Sequence, residues 1–435
     1  MGAEQMKTSD NRKRRAVVIG GSMAGLFAAS LLRRVGWDVD LYERSDVELF
    51  GRGAGIVTHD ELLRALTDAG ASLADLGVSI NERVALDSTG KPIERLAYPQ
   101  IVTSWDRLHS LMRATIPHEN HHLGCNLQDI RQDADGVTAV FSNGRSEQAD
   151  LLIGADGFRS TVRARFLPQV TPEYAGYVVW RGLADERDLS PEVHAAIFEK
   201  FAFFLPAHNE IIGYPIAGPN NDLRAGSRRF NWVWYRRADA ELLKSMLVDE
   251  EGLQYDVSIP PPKIRRDVID GLKSDAKGFL PWPFYESLLG IDRPFFTPIY
   301  DHFSPSMVFG RVALVGDAAS VGRPHIGMGV TKAAEDGQSL ARCLASPEID
   351  VADGLARFNA ERVPAAWRAF ASGRELGEFM HKSGSAVPPE ERERWKELHS
   401  VSAMLKHTAS SSFVREVRLQ QPAPATSSSN QSEQI

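Results

Sequence analysis

The chain has 435 residues, which is too long for one simple core and indicates about two or three lobes. Its net charge of -7 provides no broad basic surface, so we expect no nucleic-acid partner. The two cysteines, Cys125 and Cys343, lie far apart and form no C-x-x-C motif. We therefore expect neither a disulfide framework nor a metal site.

The longest apolar run, residues 16–32, is interrupted by Gly20, Gly21 and Gly25, so it does not predict a membrane span. Basic residues precede it, as in secretory signals, but no small-residue cleavage site follows. These features favour a cytoplasmic protein without a membrane partner. The oligomeric state stays open, with a homodimer as one alternative.

In chain order, the first elements predict a strand–helix–strand unit. Ala16–Ile19 has the composition of a short buried strand, and a helix is expected over Met23–Val35, ended by Gly36. Asp38–Tyr42 is the second strand. The beginning of the chain is therefore α/β.

The middle of the chain predicts a different lobe, because three short, aromatic-rich strands are separated by turn residues. They span Phe203–Pro206, Glu210–Ile216 and Arg228–Tyr235. Farther on, a buried strand at Val312–Val315 precedes a helix near Lys332–Leu344. In the rest of the chain the apolar residues mostly recur with the period of a helix, so we expect helices there. The tails at 1–13 and 416–435 are expected to be disordered.

The turn Gly20-Gly-Ser-Met-Ala-Gly25 joins the first strand to the first helix. Such a turn presents free backbone N–H groups to the pyrophosphate of a dinucleotide, with Gly20 allowing the tight turn and Gly25 the close packing of helix on strand. Ser22 replaces the usual middle glycine. Glu43 ends the second strand, where a carboxylate accepts hydrogen bonds from ribose hydroxyls. A glycine-rich turn without a ligand is the alternative.

Two further strands end in aspartate-containing turns, Asp156-Gly157 and Gly316-Asp317. An aspartate at the carboxyl end of a parallel strand faces the crevice where ligands bind, and it can accept a hydrogen bond from a sugar-like hydroxyl. An ordinary capping role is the alternative for each of them.

Taken in order, these motifs and Trp105-Asp-Arg107-Leu108 resemble the single-component FAD-dependent aromatic hydroxylases, the para-hydroxybenzoate hydroxylase type, over residues 15–345. The resemblance implies an α/β fold with a Rossmann-like FAD-binding domain, an inserted substrate domain with a mixed or antiparallel sheet, and a helical C-terminal region. The expected segments are 14–80, 100–172 and 292–345 for the FAD domain, 81–99 and 173–291 for the substrate domain, and 346–415 for the helical region.

The resemblance also implies roles for individual residues. The pyrophosphate turn would comprise Gly20, Ser22, Met23 and Gly25. Glu43 would bind the adenosine ribose, Arg44 would lie beside the adenine, and Arg107 would reach the pyrophosphate or the ribityl chain. Asp156 would belong to a segment shared by FAD and the nicotinamide, Asp317 would bind the ribityl chain, and the flavin ring would face the backbone of Gly327, Gly329 and Val330.

The implied reaction is hydroxylation of a small hydroxylated aromatic or heteroaromatic ring. It would use non-covalent FAD, NADH or NADPH as a transient co-substrate, and O2, through a C4a-hydroperoxyflavin. Within the family the likeness is closest to hydroxylases of hydroxypyridines. The residues that carry this closer likeness are Tyr174–Tyr177, Trp180–Gly182, Tyr214–Ile216 and Arg323–His325.

Candidates for the substrate pocket, and for catalysis in it, are His325, Pro324, Tyr214 and His59, of which His325 is best suited to orient or deprotonate a ring hydroxyl. Trp232 and Trp234 are candidates for the pocket or for the core. Arg181 is a candidate for a structural ion pair.

Three other functions stay open from the sequence alone. One is a halogenase or reductase of the same fold, although Trp232-Val-Trp-Tyr-Arg-Arg237 lacks the Ile-Pro of a halogenase motif. The second is a non-enzymatic flavin-binding redox protein. The third, a plain NAD dehydrogenase, leaves the Gly316-Asp317 turn unexplained.

Overall fold

The computed structural model describes residues 13–49 and 55–416. In this part of the chain eighteen strands, β1 to β18 in chain order, occupy Arg15–Ile19, Asp38–Tyr42, Gly55–Val57, Val78–Leu86, Pro92–Ser104, His121–His122, Leu127–Gln132, Val137–Phe141, Ser146–Ala149, Leu151–Gly154, Glu173–Asp185, Phe201–Phe204, Asn209–Ile216, Arg229–Arg237, Phe295–Phe303, Val308–Phe309, Val312–Leu314 and Ser320–Val321. Thirteen helices, α1 to α13, occupy Met23–Arg34, Asp60–Ala69, Trp105–Arg113, Thr161–Phe166, Pro191–Val193, Ala240–Met246, Arg266–Ala276, Trp282–Leu289, Gly329–Cys343, Val351–Leu376, Arg392–Leu398, Val401–His407 and Ser411–Glu416. Nearly all of the two predicted tails lies outside the described residues.

The first sheet has six strands in the order β16-β17-β10-β1-β2-β6. Strands β17, β10, β1, β2 and β6 run parallel, and β16 is an antiparallel edge strand. Their apolar side chains are buried, as expected for a parallel sheet covered on both faces. The predicted strand–helix–strand unit is confirmed, because β1, α1 and β2 match its limits to within about one residue at each end.

The second sheet has nine strands in the order β18-β15-β11-β14-β13-β12-β4-β5-β3. All of its neighbouring strands are antiparallel except the β12–β4 pair, which is parallel. This mixed sheet and the helices α10–α13 at the C-terminal end confirm the predicted fold class. A small third sheet contains β7, β8 and β9.

The hydrogen bonding of the second sheet does not follow the predicted domain segments. Strands β3, β15 and β18 belong to this sheet, although their residues lie within the segments assigned to FAD binding. The assignment of domains therefore stays a prediction, but the sheet takes strands from both predicted domains. This sharing matters because the site described below lies where the two lobes meet.

Both faces of the second sheet are buried, each in its own core. The face on which Trp232 and Trp234 lie shows whether they belong to the pocket or to the core. Trp232 and Trp234 point to the face that packs against α7 and α8, where the Trp232 indole N–H donates to the carbonyl of Phe284 at 3.1 Å. Their rings meet edge to face. Of the two alternatives left open for Trp232 and Trp234, the core is therefore the correct one, because both side chains pack on the face of the sheet that α7 and α8 cover.

The C-terminal helices pack over the other face of the second sheet. The segment between α12 and α13 is tied to β4 by Arg83, a fully buried side chain that donates to the carbonyls of Leu405, Thr408 and Ala409 at 2.7, 2.6 and 3.3 Å. Among the described helices, none is long and apolar enough to cross a membrane.

Candidate active site

The glycine turn has the geometry that its sequence predicts. Gly20 has φ +112°, which disfavours any residue with a side chain, and a Cβ there would overlap the carbonyl of Ala155, the residue after β10. A Cβ at Gly25 would overlap the carbonyl oxygen of Gly20. No side chain among the described residues caps the N-terminus of α1 at Ser22. The turn therefore brings an uncapped helix N-terminus against the sheet, as an anion site requires.

A cavity lies beside this turn, and we call it the turn cavity. Its walls include Gly20, Ser22, Glu43, Arg44 and Asp156. Five of the predicted cofactor residues thus share one cavity. Arg44 is exposed there.

Two acidic residues of the turn cavity, Glu43 and Asp156, accept hydrogen bonds from backbone N–H groups. The Glu43 carboxylate accepts from the N–H of Gly21 at 2.8 Å and from that of Ser45 at 2.9 Å. Asp156 accepts from the N–H of Thr161 at 2.7 Å and so supports the start of α4. Both residues therefore shape the cavity wall as well as being available to a ligand, because a carboxylate has about four lone-pair sites.

Three predicted cofactor residues, Met23, Gly25 and Arg107, line neither the turn cavity nor the second cavity described next. The Arg107 guanidinium donates to the carbonyl of Ala74 at 2.7 Å. Its contact with the pyrophosphate or the ribityl chain stays a prediction. The Met23 side chain is in the core, so only its backbone amide, in the first turn of α1, can face an anion.

The Gly316-Asp317 turn opens into a second cavity, which we call the sheet cavity. It lies between the second sheet, this turn and the start of α9. The Asp317 side chain is exposed within the cavity, and desolvation by the surrounding protein raises the pKa of its carboxyl. No described residue hydrogen-bonds to this carboxylate, so it is available to a hydroxyl of a ligand.

A buried charge network holds the same turn in place. Gly316 has φ +60°, its N–H donates to Asp336 at 2.9 Å, and its carbonyl accepts from the Lys332 ammonium at 2.8 Å. Asp336 also accepts from Arg362 at 2.7 Å. The attraction of Lys332 and Arg362 keeps the pKa of the Asp336 carboxyl below its ordinary value in spite of burial. This network fixes the direction of the neighbouring Asp317.

The opposite wall of the sheet cavity is formed by the loop before α9, at Gly327 and Met328, and by the first two residues of α9, Gly329 and Val330. Helix α9 begins at Gly329, earlier than predicted, and no side chain in the described residues caps it. A Cβ at Gly329 would meet nothing within 4 Å. The predicted flavin-facing backbone is therefore a second helix N-terminus directed at a cavity.

His325 is at the centre of a buried hydrogen-bonded chain in the wall of the sheet cavity. Its Nδ1 lies 2.6 Å from Oε2 of Glu210, and its Nε2 lies 2.9 Å from the Tyr177 hydroxyl. Burial raises the pKa of Tyr177 well above its ordinary value, so this hydroxyl stays protonated. Because Glu210 is an acceptor, we assign the Nδ1 proton to the bond with Glu210 and leave Nε2 as the basic nitrogen.

The other three predicted catalytic residues have different positions. Pro324 and Tyr214 line the sheet cavity. His59 does not: its Nδ1 lies 2.8 Å from the Thr331 hydroxyl, its Nε2 lies 3.3 Å from the carbonyl of Ala409, and it lines a separate cavity. A catalytic role for His59 stays a prediction, and its ring connects α2, α9 and the C-terminal segment outside the sheet cavity.

Sequence reasoning missed three residues of this cavity, or their role in it: Glu210, Tyr235 and Arg181. The signal that they share is the two-residue period of a strand, which places alternate residues on the same face. Glu210 and Tyr214 are four residues apart on β13, Tyr235 pairs with Glu210, and Arg181 pairs with Val233 on the same face. Given Tyr214 as a pocket residue, the two-residue period could have identified the others.

The residues present fit a flavin dinucleotide. The turn cavity has a glycine cradle and an uncapped helix N-terminus for a pyrophosphate, and the sheet cavity has a carboxylate without a partner and a backbone wall for a planar ring. In this arrangement the residues named for the pyrophosphate, the ribose and the ribityl chain stay predictions.

Residues 13–237 and 298–372 match the model of the FAD binding domain family, and residues 174–301 match a model described as FAD binding domain-like. The 2,6-dihydroxypyridine 3-monooxygenase of Paenarthrobacter nicotinovorans is 35% identical over 329 residues, which are 75% of this chain and 82% of that protein. The chain belongs to the family of FAD-dependent aromatic hydroxylases. The 3-hydroxybenzoate 6-hydroxylase of Klebsiella oxytoca is 27% identical, with 85% of this chain and 89% of that protein aligned.

Solved structures of the family show the same fold. That of 2,6-dihydroxypyridine-3-hydroxylase from Arthrobacter nicotinovorans has a TM-score of 0.79 and 31% identity, and the match covers 85% of this chain and 93% of that one. The Klebsiella pneumoniae HpxO complex with FAD and uric acid has a TM-score of 0.72 at 23% identity, covering 91% and 96%. The chain is thus a flavoprotein monooxygenase with FAD as its cofactor, and NADH or NADPH is the reductant typical of these hydroxylases.

Proposed function

We propose that this aromatic hydroxylase acts on a small N-heteroaromatic ring that carries hydroxyl groups, a hydroxypyridine, and that the ring binds in the sheet cavity. FAD bound along the two cavities supplies the electron transfer from NADH or NADPH and the activation of O2. The observation that carries the proposal is the meeting, in one cavity wall, of the backbone before α9 with the His325–Glu210 pair.

The lining of the cavity supports a small planar substrate. The walls are mainly apolar and aromatic, including Phe201, Ile212, Tyr214 and Tyr235. Such a wall excludes water, and a hydroxylase needs this so that activated oxygen reaches the ring instead of being lost as hydrogen peroxide.

The buried pair supplies a site for a proton. An electrophilic oxygen attacks a ring more readily when a ring hydroxyl has lost its proton. Nε2 of His325 is the acceptor in this arrangement, and the Tyr177 hydroxyl now donates to it. A substrate hydroxyl that replaces this donor, or that bonds to the Tyr177 oxygen, transfers its proton toward Nε2. Glu210 stabilises the imidazolium that results.

The test is a substrate panel with the purified, FAD-loaded protein. It compares 2,6-dihydroxypyridine and monohydroxypyridines with 3-hydroxybenzoate, salicylate and phenol, and it records NADH and NADPH oxidation, O2 uptake and product mass. We expect a hydroxypyridine to accelerate NAD(P)H oxidation and to gain one oxygen atom next to or opposite a hydroxyl. If the hydroxypyridines are inert and a benzoate is hydroxylated, the aromatic hydroxylase stands and the choice of a pyridine ring is wrong.

A further inference from the structure

The sheet cavity contains a cationic side chain that no described residue neutralises. Arg181 is half-buried in the cavity wall. Of the described residues, none accepts a hydrogen bond from its guanidinium or forms an ion pair with it. The two other cations of the cavity wall are paired, because Arg323 donates to Asp301 at 2.8 Å and Lys332 donates to the carbonyl of Gly316 at 2.8 Å.

A guanidinium without a partner in a protein-lined cavity is costly unless a ligand supplies an acceptor. Its planar fork of N–H donors suits an oxyanion or a carboxylate. The predicted structural ion pair of Arg181 is therefore not formed with any described residue, and the side chain is left for a ligand.

Two tyrosines complete the surroundings of Arg181. Tyr214 and Tyr235 line the same cavity, and neither hydroxyl has a hydrogen-bond partner in the described part of the chain. Burial raises the pKa of Tyr214 to about 12 and raises that of Tyr235 as well, while the nearby Arg181 opposes both shifts. Both hydroxyls therefore keep their protons at neutral pH and are available as donors, as the guanidinium is.

The strand register explains why these three donors share one face. Arg181 pairs with Val233 on β14, and Val233 pairs with Ile212 on β13. Tyr235 and Tyr214 lie two residues beyond these partners, so all three donors project from the cavity face of the sheet. Tyr235 also lies beside His325, with ring centroids 4.7 Å apart. The donors and the His325–Glu210 pair thus line the same cavity.

We propose that Arg181, with Tyr214 and Tyr235, forms a subsite for an anionic oxygen of the substrate. The proposal rests on the proposed function, in which the ring binds in the sheet cavity. It means that the substrate carries two oxygen-containing groups. One is the hydroxyl that gives its proton toward His325, and the other is an oxyanion or carboxylate held by Arg181.

The test measures equilibrium binding without NAD(P)H, from the change that a ligand causes in the flavin absorbance. Two ligand pairs differ by one oxygen-containing group: 2,6-dihydroxypyridine with 2-hydroxypyridine, and 3-hydroxybenzoate with phenol. We expect the wild type to prefer the first member of at least one pair. Arg181→Gln should weaken the binding of that member by about ten- to a hundredfold, the effect of one lost charge-assisted hydrogen bond. It should leave the second member nearly unchanged.

Two variants make the result specific. Arg181→Lys keeps the charge without the fork, so it should recover part of the preference. Arg236→Gln removes a guanidinium from β14 that pairs with Asp275, outside the cavity, and should change nothing. A wild type without a preference in either pair overturns the proposal. So does an Arg181→Gln variant that weakens both members equally, or that shifts the flavin reduction potential without changing the preference, since Arg181 would then contact the flavin.

A failure of the Arg181 subsite can be distinguished from a failure of the proposed function. If the preference depends on Arg181 but no hydroxypyridine is hydroxylated, the subsite stands and the choice of substrate is wrong. If hydroxypyridines are hydroxylated and the preference does not depend on Arg181, the subsite is wrong and the function stands.

Discussion

Nδ1 of His325 lies 2.6 Å from Oε2 of Glu210, and the two side chains are 1% and 0% exposed. A carboxylate at this distance, shielded from water, holds the imidazole in one orientation and keeps its proton on Nδ1. The site therefore depends on Glu210 as much as on His325.

The first prediction concerns this pair. Glu210→Gln keeps the size of the side chain and removes its charge, so the imidazolium of His325 loses its counter-charge. We expect FAD to stay bound and the ratio of hydroxylated product to NAD(P)H consumed to fall, with more hydrogen peroxide. The loss in the rate of product formation should be at least about tenfold, because proton transfer by a positioned group contributes about 10²–10⁴-fold. His325→Ala should have the same effect.

The control for this prediction is Glu82→Gln. It is the same substitution at a glutamate of β4 that forms a surface ion pair with Arg95 of β5. It should leave the product ratio unchanged, because an exposed ion pair contributes little. If Glu210→Gln and His325→Ala give the wild-type ratio of product to NAD(P)H, neither residue takes part in the proton transfer.

The second prediction concerns Asp317 and the cofactor. Asp317→Ala and Asp317→Asn should weaken FAD binding by about ten- to a hundredfold, since each loses a charge-assisted hydrogen bond to a sugar-like hydroxyl. The secondary structure should be retained. Fluorescence titration of the apoprotein with FAD measures the change, and unchanged titration curves would remove Asp317 from the cofactor site.

The third prediction is the pH dependence that follows from the same carboxyl. Burial raises the pKa of Asp317 in the folded apoprotein above its value in the unfolded chain. The associated stability is fully present below the unfolded pKa and is lost as the pH rises through the folded pKa. At neutral pH the Asp317→Asn apoprotein should therefore melt at a higher temperature than the wild type, and the gap should close in acid. A gap that is the same at all pH values would contradict this.

The fourth prediction compares two glycines. Gly25→Ala should abolish FAD binding and destabilise the fold, because the new Cβ overlaps the carbonyl of Gly20. Gly271→Ala, in the exposed middle of α7, meets nothing within 4 Å and should stabilise the protein by about 0.5–1 kcal/mol. Thermal unfolding and the flavin content of the purified variants distinguish the two outcomes. Normal flavin content in Gly25→Ala would show that the turn tolerates a side chain.

The fifth prediction concerns Arg83 and the closure of the sheet cavity. Thr408 and Ala409 are part of the cavity wall, and Arg83 holds their carbonyls. Arg83→Met leaves these acceptors without their donor, so we expect faster proteolysis near α12 and α13 and more hydrogen peroxide per NAD(P)H. Arg83→Lys should restore part of both properties. An Arg83→Met variant with normal proteolysis but lost product formation would mean that Arg83 acts in another way.

The sequence by itself determined the parts of the protein whose function is built from consecutive residues. The turn from Gly20 to Gly25 needs only a strand before it and a helix after it, and the apolar patterns of β1 and α1 supply both. The same holds for the Gly316-Asp317 turn. In these motifs the chemistry depends on local backbone geometry, so the residue types and their spacing are sufficient.

Only the tertiary structure decided which side chains face the substrate. Strand β14 is buried on both faces and has aromatic side chains on both, so no alternation of polar and apolar residues distinguishes Trp232 and Trp234 from Tyr235. Their direction follows from the register with β11, because shifting a strand by one residue moves every side chain to the other face. The pairing of His325 with Glu210 and the lack of a partner for Arg181 among the described residues depend on that register, since residues distant in the chain meet only when the sheet forms.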